Sequence, residues 1–283
     1  MRQEMKRELI IATCQFPVSA DIKRNASYIL RQMAEAKEKG ANISHFPESS
    51  LSGYAGTDFK RFNRRAETLL LNSLEKIMKR ASELEIWAIV GSHHFEGNHK
   101  HPYNCLWLID NNGKIINRYD KRFCTGKEGE LEHAYYKPGK KAVQFKIKEF
   151  TCGVLICHEW RYPELYREQK KRGTQVLFQS WYDGHLSATE YEQKGKELGS
   201  LITGAVRGYA ANNYLWLSAS NTSGRESCFA SFMVRPDGKI GRQLKRNVTG
   251  ILISKIDSGT RYADPSGPWR DRAYKGILHS GKL

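Results

Sequence analysis

Residues 151–164 read TCGVLICHEWRYPE. An apolar run of strand length ends at Cys157, polarity changes abruptly at His158, Glu159 and Arg161, and Pro163 opens a short helix that Gly173 closes. TQVLFQSW at 174–181 is the next strand. A strand that turns into a helix and returns as a strand lays the helix over a sheet face, so this stretch sets the class as α/β. The rest of the chain agrees. LIIATCQF (9–16) reads as a buried strand, and Ile22, Ala26, Ile29, Leu30, Met33 and Ala34 fall at helical spacing between Asp21, a capping residue, and Gly40, a stop. NISHFPE is a short strand broken at Pro47, residues 64–84 form a second amphipathic helix, and IWAIVGSHHF is a strand. NCLWLIDNNGKIINRYDK turns at Asn112-Gly113 as a hairpin. In the second half AVQFKI, TCGVLIC, YLWLSASN and GILISKI are strands, residues 187–212 one long helix, and FASFMVRPDGKIGRQL a hairpin at Asp237-Gly238. Hairpins mixed with strand–helix–strand units predict mixed sheets covered by helices. No low-complexity linker divides residues 1–283, which read as one domain with a polar tail of about 257–283 rich in Gly, Pro and Arg.

At 283 residues the chain can bury a core without disulfides or metal. No apolar stretch reaches the length of a membrane span. The opening MRQEMKRELIIATCQF is basic, then apolar, but Glu4 and Glu8 interrupt it and no small-residue cleavage site follows, so it reads as the first strand and not a signal peptide. Six cysteines without a CxxC pair argue against a disulfide framework or a zinc ribbon, and for a reducing cytoplasm. The net charge of +16 comes from scattered residues with only short runs, Lys60–Arg65 and Arg167–Arg172, which reads as solvated surface and not as a nucleic-acid face. His93, His94, His99 and His101 straddle a strand end and a hairpin-like loop, lack acidic or cysteine partners at ligand spacing and read as solvent-exposed; no metal site is expected.

A cysteine at a strand end before a tight turn is presented above the sheet edge, with backbone N–H groups and a helix terminus close by. Its commoner fate is a buried core residue. His158 is adjacent and points away, and neither His185 nor His279 sits in a context that makes it a base. Two other strand ends carry reactive groups: Glu48 follows Pro47 where a strand opens into a Ser/Gly loop, and Lys121 ends a hairpin strand. Strand ends of α/β sheets are where sites assemble.

HFPESSLSGY, RYDKRFC and GVLICHEWRYPE together resemble the three signatures of the nitrilase, or carbon–nitrogen hydrolase, superfamily: a Glu, a Lys and a Cys at three strand ends, in this order. ELEHAYYKPG is similar to the family segment with a second glutamate, here Glu132, and VRGYAANNYLWLSASN and FMVRPDGKI also resemble family segments. The likeness spans residues 8–256. It implies a four-layer α-β-β-α sandwich, commonly paired into dimers or higher homo-oligomers, with a cofactor-free and metal-free site. It also implies a small-molecule substrate whose C–N bond is cut through a thioester on Cys157. Glu48 would be the base and acid. Lys121 and the His158 backbone N–H would hold the oxyanion, and Glu132 would orient the substrate or Lys121. Trp181, Tyr182, Asp183 and His185 follow the next strand, where the family builds its pocket, and are candidates to line it. His158 stands where nitrilases usually carry Trp, so an amide or N-carbamoyl substrate is favoured over a nitrile. A nitrilase, an acyltransferase or a non-catalytic basic binding protein on the same scaffold remain the alternatives.

Overall fold

Side chains on β1 (Glu8–Gln15) point alternately into two different buried clusters, as a strand covered on both faces requires. Leu9 and Ile11 join Phe145, Val154, Phe178 and Leu217, while Ala12 and Cys14 join Ile29, Met33, Leu74 and Ile77. The first set comes from a second sheet and the other from helices. This alternation defines the layers. The computed structural model describes residues 8–97 and 99–282; residues 1–7, including Glu4 and the basic start, and the side chains of Arg64 and Arg65 in one basic run, lie outside the described residues.

In the first sheet β1 pairs in parallel with β2 (Ile43–His45), which pairs in parallel with β3 (Trp87–His94); β4 (Tyr103–Ile109) and β5 (Ile115–Asp120) continue antiparallel, and β12 (Gly250–Asp257) closes the other edge. The second sheet runs β11 (Ile240–Gln243), β10 (Phe232–Val234), β9 (Trp216–Ser220), β8 (Val176–Ser180), β7 (Phe150–Ile156), β6 (Gln144–Ile147), with β7, β8 and β9 parallel. Helices α1 (Ile22–Glu38) and α2 (Arg64–Leu84) cover the first sheet; α3 (Pro163–Lys171) and α5 (Lys196–Asn213) cover the second. This is the four-layer α-β-β-α sandwich. No helix among the described residues is long and apolar enough to cross a membrane.

The local signals work as read at α1, where Asp21 Oδ1 accepts the Arg24 N–H at 3.0 Å and Gly40 takes the left-handed conformation past the end. Three elements differ from the sequence reading. The long helix at 187–212 is interrupted: α4 (Ala188–Glu190) widens into a π turn at Tyr191–Gly195 before α5. Gly195 lies against the side chains of Leu186 and Tyr191, where a Cβ would stand 2.9 Å from each. The tail holds a further helix, α6 (Gly267–Tyr274), whose residues are nowhere fully buried and so carry no apolar period to read. It is tied down by polar contacts, from Arg270 Nε to Asn212 O at 2.9 Å and from Tyr274 Oη to Asn213 Oδ1 at 2.6 Å. Finally, His93 and His94 are not solvent-exposed. They end β3 half-buried among aromatic rings, His93 against Phe59, Phe62 and Phe95, and His94 against Trp107.

One polar seam crosses the interface between the sheets. His45 on β2 bonds Ser218 Oγ (2.9 Å) on β9 and Ser180 Oγ (3.0 Å) on β8, and Thr13 on β1 reaches the same Ser218 at 2.7 Å. Full burial pushes the imidazole down to about 3, so it is neutral in the fold. The unfolded chain takes up that proton near 6.5 and the folded chain does not, so stability falls as pH drops through 6.5 and the loss levels off near 3. From this residue we expect a loss of about 2 kcal/mol between pH 7 and pH 5. Urea unfolding at the two pH values should show a flatter dependence in His45→Asn than in the parent; equal slopes would remove His45 as the cause.

Candidate active site

Glu48, Lys121 and Cys157 all follow strand ends, those of β2, β5 and β7. Two strands separate β2 from β5 in their sheet, and the chain at Glu48 bends back to bridge them. Gly91 on β3 makes the bend possible: a Cβ there would lie 2.4 Å from Pro47 O and 2.5 Å from Ser49 N. The Glu48 N–H then donates to Trp181 O in the other sheet at 3.2 Å. Cys157 itself has φ +36°, a left-handed value that costs a non-glycine residue of order 1–3 kcal/mol, and it opens a tight 3-10 turn, Cys157–Arg161, before α3 begins.

The Lys121 ammonium is buried between two carboxylates. Nζ stands 2.8 Å from Glu48 Oε1, 2.9 Å from Glu132 Oε1 and 2.8 Å from Glu132 Oε2. Asn104 completes the cluster, its Nδ2 donating to Glu48 Oε1 (2.7 Å) and Glu132 Oε1 (2.8 Å). The outer oxygens take backbone donors, Tyr182 N–H for Glu48 Oε2 (3.0 Å) and Thr125 N–H for Glu132 Oε2 (2.8 Å). All four side chains are buried, while Cys157 is half-buried and within electrostatic range of Glu48, Lys121 and Glu132.

Two carboxylates beside one cation do not behave alike. Burial, with repulsion from Glu132, holds the Glu48 carboxyl above the usual carboxylate range despite the pull of Lys121. Burial acts the same way on Glu132, but the ammonium and the donors on its oxygens outweigh it and hold it below that range. Lys121 is raised in turn: burial opposes its charge, and the two carboxylates more than compensate. The two carboxyls are thus shifted in opposite directions around one ammonium. Burial and the Glu48 charge push the Cys157 thiol well above the usual thiol range, so the cluster does not hold a resting thiolate.

The remaining sequence candidates separate. The His158 imidazole packs edge-on to Tyr162, and burial together with Lys121 lowers it to about 4, so it is neutral. Tyr182 and His185 belong to one aromatic stack with Tyr54, with centroids 4.7 Å (Tyr54–Tyr182) and 5.2 Å (Tyr182–His185) apart. Asp183 is half-buried, lies in the electrostatic surroundings of Cys157, and is raised by burial. Trp181 is fully buried, its indole edge-on to Phe229, and its backbone carbonyl accepts the Glu48 N–H. Sequence reasoning missed Asn104 and Tyr54. Asn104 had a readable signal, as a polar residue in an otherwise apolar strand buried on both faces. Tyr54 had none beyond its place in the Ser/Gly loop. Among the described residues no group of three or more His, Cys, Asp or Glu could hold a metal ion.

A helix-flanked pair of mixed sheets with a cysteine at a strand end is the architecture of amidases of the nitrilase fold. The amidase from Nesterenkonia sp. superposes with a TM-score of 0.75 over 95% of this chain and 96% of its own at 20% identity. The Carbon-nitrogen hydrolase family model matches residues 10–265, and the chain belongs to that family. N-carbamoylputrescine amidase of Arabidopsis thaliana is 28% identical over 268 residues, covering 89% of this chain and 87% of the relative. Deaminated glutathione amidase of Mus musculus is 28% identical over 184 residues, 59% of this chain and 54% of the relative.

Replacing Asn104 by Leu removes an amide donor shared by both carboxylates. We expect a loss of roughly 1–3 kcal/mol in chemical denaturation, the cost of leaving buried acceptors short of a partner; a loss within experimental error would show that the amide is dispensable.

Proposed function

We propose that the protein hydrolyses a non-peptide C–N bond of a small linear amide or N-carbamoyl compound, with Cys157 as nucleophile, Glu48 as proton carrier and Lys121 as electrostatic partner. The observation that carries this reading is one buried ammonium held between two carboxylates, set beside a half-buried thiol. The relatives named as N-carbamoylputrescine and deaminated glutathione amidases support the substrate class.

The chemistry follows from the charges. Because the thiol rests protonated, its proton passes to Glu48 as sulfur bonds to the substrate carbonyl carbon. The oxygen that gains charge is met by the Lys121 ammonium and by the His158 N–H, which lies at the start of the 3-10 turn where the geometry supplies no partner within it. Glu48 then delivers the proton to the departing nitrogen, the C–N bond breaks, and the acyl group stays on sulfur as a thioester. Water attacks the thioester as Glu48 takes its proton, and the acid leaves as the thiol re-forms. Glu132 stays ionised throughout and keeps Lys121 charged and in place.

Purified protein incubated with linear amides, N-carbamoyl amines and nitriles should release ammonia from the first two classes. Cys157→Ala should abolish turnover, and Lys121→Ala should lower kcat about 100- to 1000-fold. Near-parental ammonia release from either variant would overturn the role given to that residue, and activity on nitriles alone would reassign the substrate. The pH profile gives a separate check. Ionised Glu48 is the base, so kcat/KM should fall on the acid side at a pH above the usual carboxylate range. Glu132→Gln removes a negative neighbour and leaves Lys121 to Glu48, so that limb should move to lower pH; a shift upward contradicts the electrostatic assignment.

A further inference from the structure

Two residues beyond Cys157, Glu159 carries a fully buried carboxylate that no step of the proposed reaction uses. Its partners are unusual. Oε1 accepts the Arg122 N–H at 2.8 Å and lies 3.4 Å from the Phe123 N–H, while Oε2 accepts the Ile156 N–H at 2.7 Å. The Tyr119 hydroxyl donates across both oxygens at 2.7 and 2.8 Å. Ile156 immediately precedes Cys157, and Arg122 immediately follows Lys121. One side chain thus grips the backbone on either side of the gap between the sheets, next to the nucleophile and next to the ammonium.

The left-handed Cys157 adds the reason such a grip is needed. A strained residue persists only where its surroundings hold it from several sides. Glu159 holds its amino-terminal neighbour, and Gln179 Nε2 on β8 donates to the Cys157 carbonyl at 3.3 Å. Without the carboxylate, the Ile156 and Arg122 N–H groups would be buried without an acceptor, and each segment would settle independently.

We propose that Glu159 is a positioning residue that sets the separation and orientation of Cys157 Sγ relative to Lys121 Nζ, by clamping the backbone beside each. This rests on the reading of Cys157 and Lys121 as reaction partners. Tyr119 is the second half of the clamp, since its hydroxyl occupies both carboxylate oxygens and fixes the plane of the group. An amide in place of the carboxylate would turn an NH2 toward N–H donors and force the two segments apart. A displacement of about 1 Å at a reacting pair costs on the order of 100-fold in rate.

The test compares Glu159→Gln, Glu159→Asp and Tyr119→Phe with the parent. The readouts are circular dichroism melting, kcat and KM for ammonia release, and the pH dependence of Cys157 alkylation by iodoacetamide followed by peptide mass spectrometry. Alkylation needs no substrate, so it reports on the thiol even if the parent releases no ammonia; that failure would sink the proposed hydrolysis and leave the clamp to be judged on the thiol alone. In folded Glu159→Gln we expect kcat to fall about 100-fold with KM within threefold, and the alkylation profile to shift as the thiol leaves its place beside Lys121 and Glu48. Glu159→Asp, which keeps the charge one methylene short, should be intermediate. If Glu159→Gln does not fold, Tyr119→Phe carries the test, with a smaller fall in kcat and a shift of the profile in the same direction. A lowered melting temperature with a parental alkylation profile in every folded variant would make Glu159 a stabilising residue only and overturn the assignment.

Discussion

The buried ammonium of Lys121 is the constraint around which the site is built. An isolated cation cannot be taken out of water at that depth, and removing one partner of such a buried pair typically costs about 3–5 kcal/mol. Lys121 is tolerated because Glu48 and Glu132 both lie within 2.9 Å of Nζ. Two carboxylates for one cation over-satisfy it, however, and the surplus falls on Glu48. The arrangement that stabilises the lysine also holds the Glu48 carboxyl above its usual range.

Assembling that imbalance requires the two sheets to be held in register. Glu48, Lys121, Glu132 and Asn104 belong to the first half of the chain, whereas Cys157 belongs to the second sheet. Apolar packing between the sheets is non-directional and would allow sliding. Directional contacts supply the register, among them the His45, Ser218, Ser180 and Thr13 seam between the sheets, Ser220 Oγ to Cys14 O, the Glu48 N–H to Trp181 O bond, and the Glu159 carboxylate reaching the Arg122 N–H. Each lies at or near the strand ends where the site forms. The polar residues buried between the sheets therefore have a geometric role that apolar residues of equal volume could not fill.

Much was legible in the order of residues alone. Apolar periods of two and of 3.6 are local properties, so the strands and α1, α2 and α3 lie where their patterns end, and Asp21 and Gly40 act on their nearest neighbours. The α/β class followed from the alternation of those periods, and the three strand-end motifs, through their family resemblance, implied the sandwich. Where stability comes from elsewhere, the pattern was silent. α6 is anchored by Arg270 and Tyr274 without an apolar face, the π turn at Tyr191–Gly195 lies where Gly195 meets Leu186 and Tyr191, and His93 and His94 lie against aromatic rings, Phe59 and Phe62 from a loop distant in sequence and Trp107 from β4.

The chain by itself determined which groups are available: a thiol, a carboxylate and an ammonium at the ends or exits of strands, a second carboxylate at Glu132 in the segment between β5 and β6, and Asn104 as a polar anomaly in an apolar run. Only the tertiary structure decided what they are to one another. That one ammonium meets both carboxylates, that burial holds the Glu48 carboxyl and the Cys157 thiol above their usual ranges, and that Trp181 lies edge-on to Phe229 all depend on burial and on distances of a few ångströms between segments far apart in the chain. Electrostatic energy in a dry interior varies steeply over such distances, and sequence spacing does not encode them.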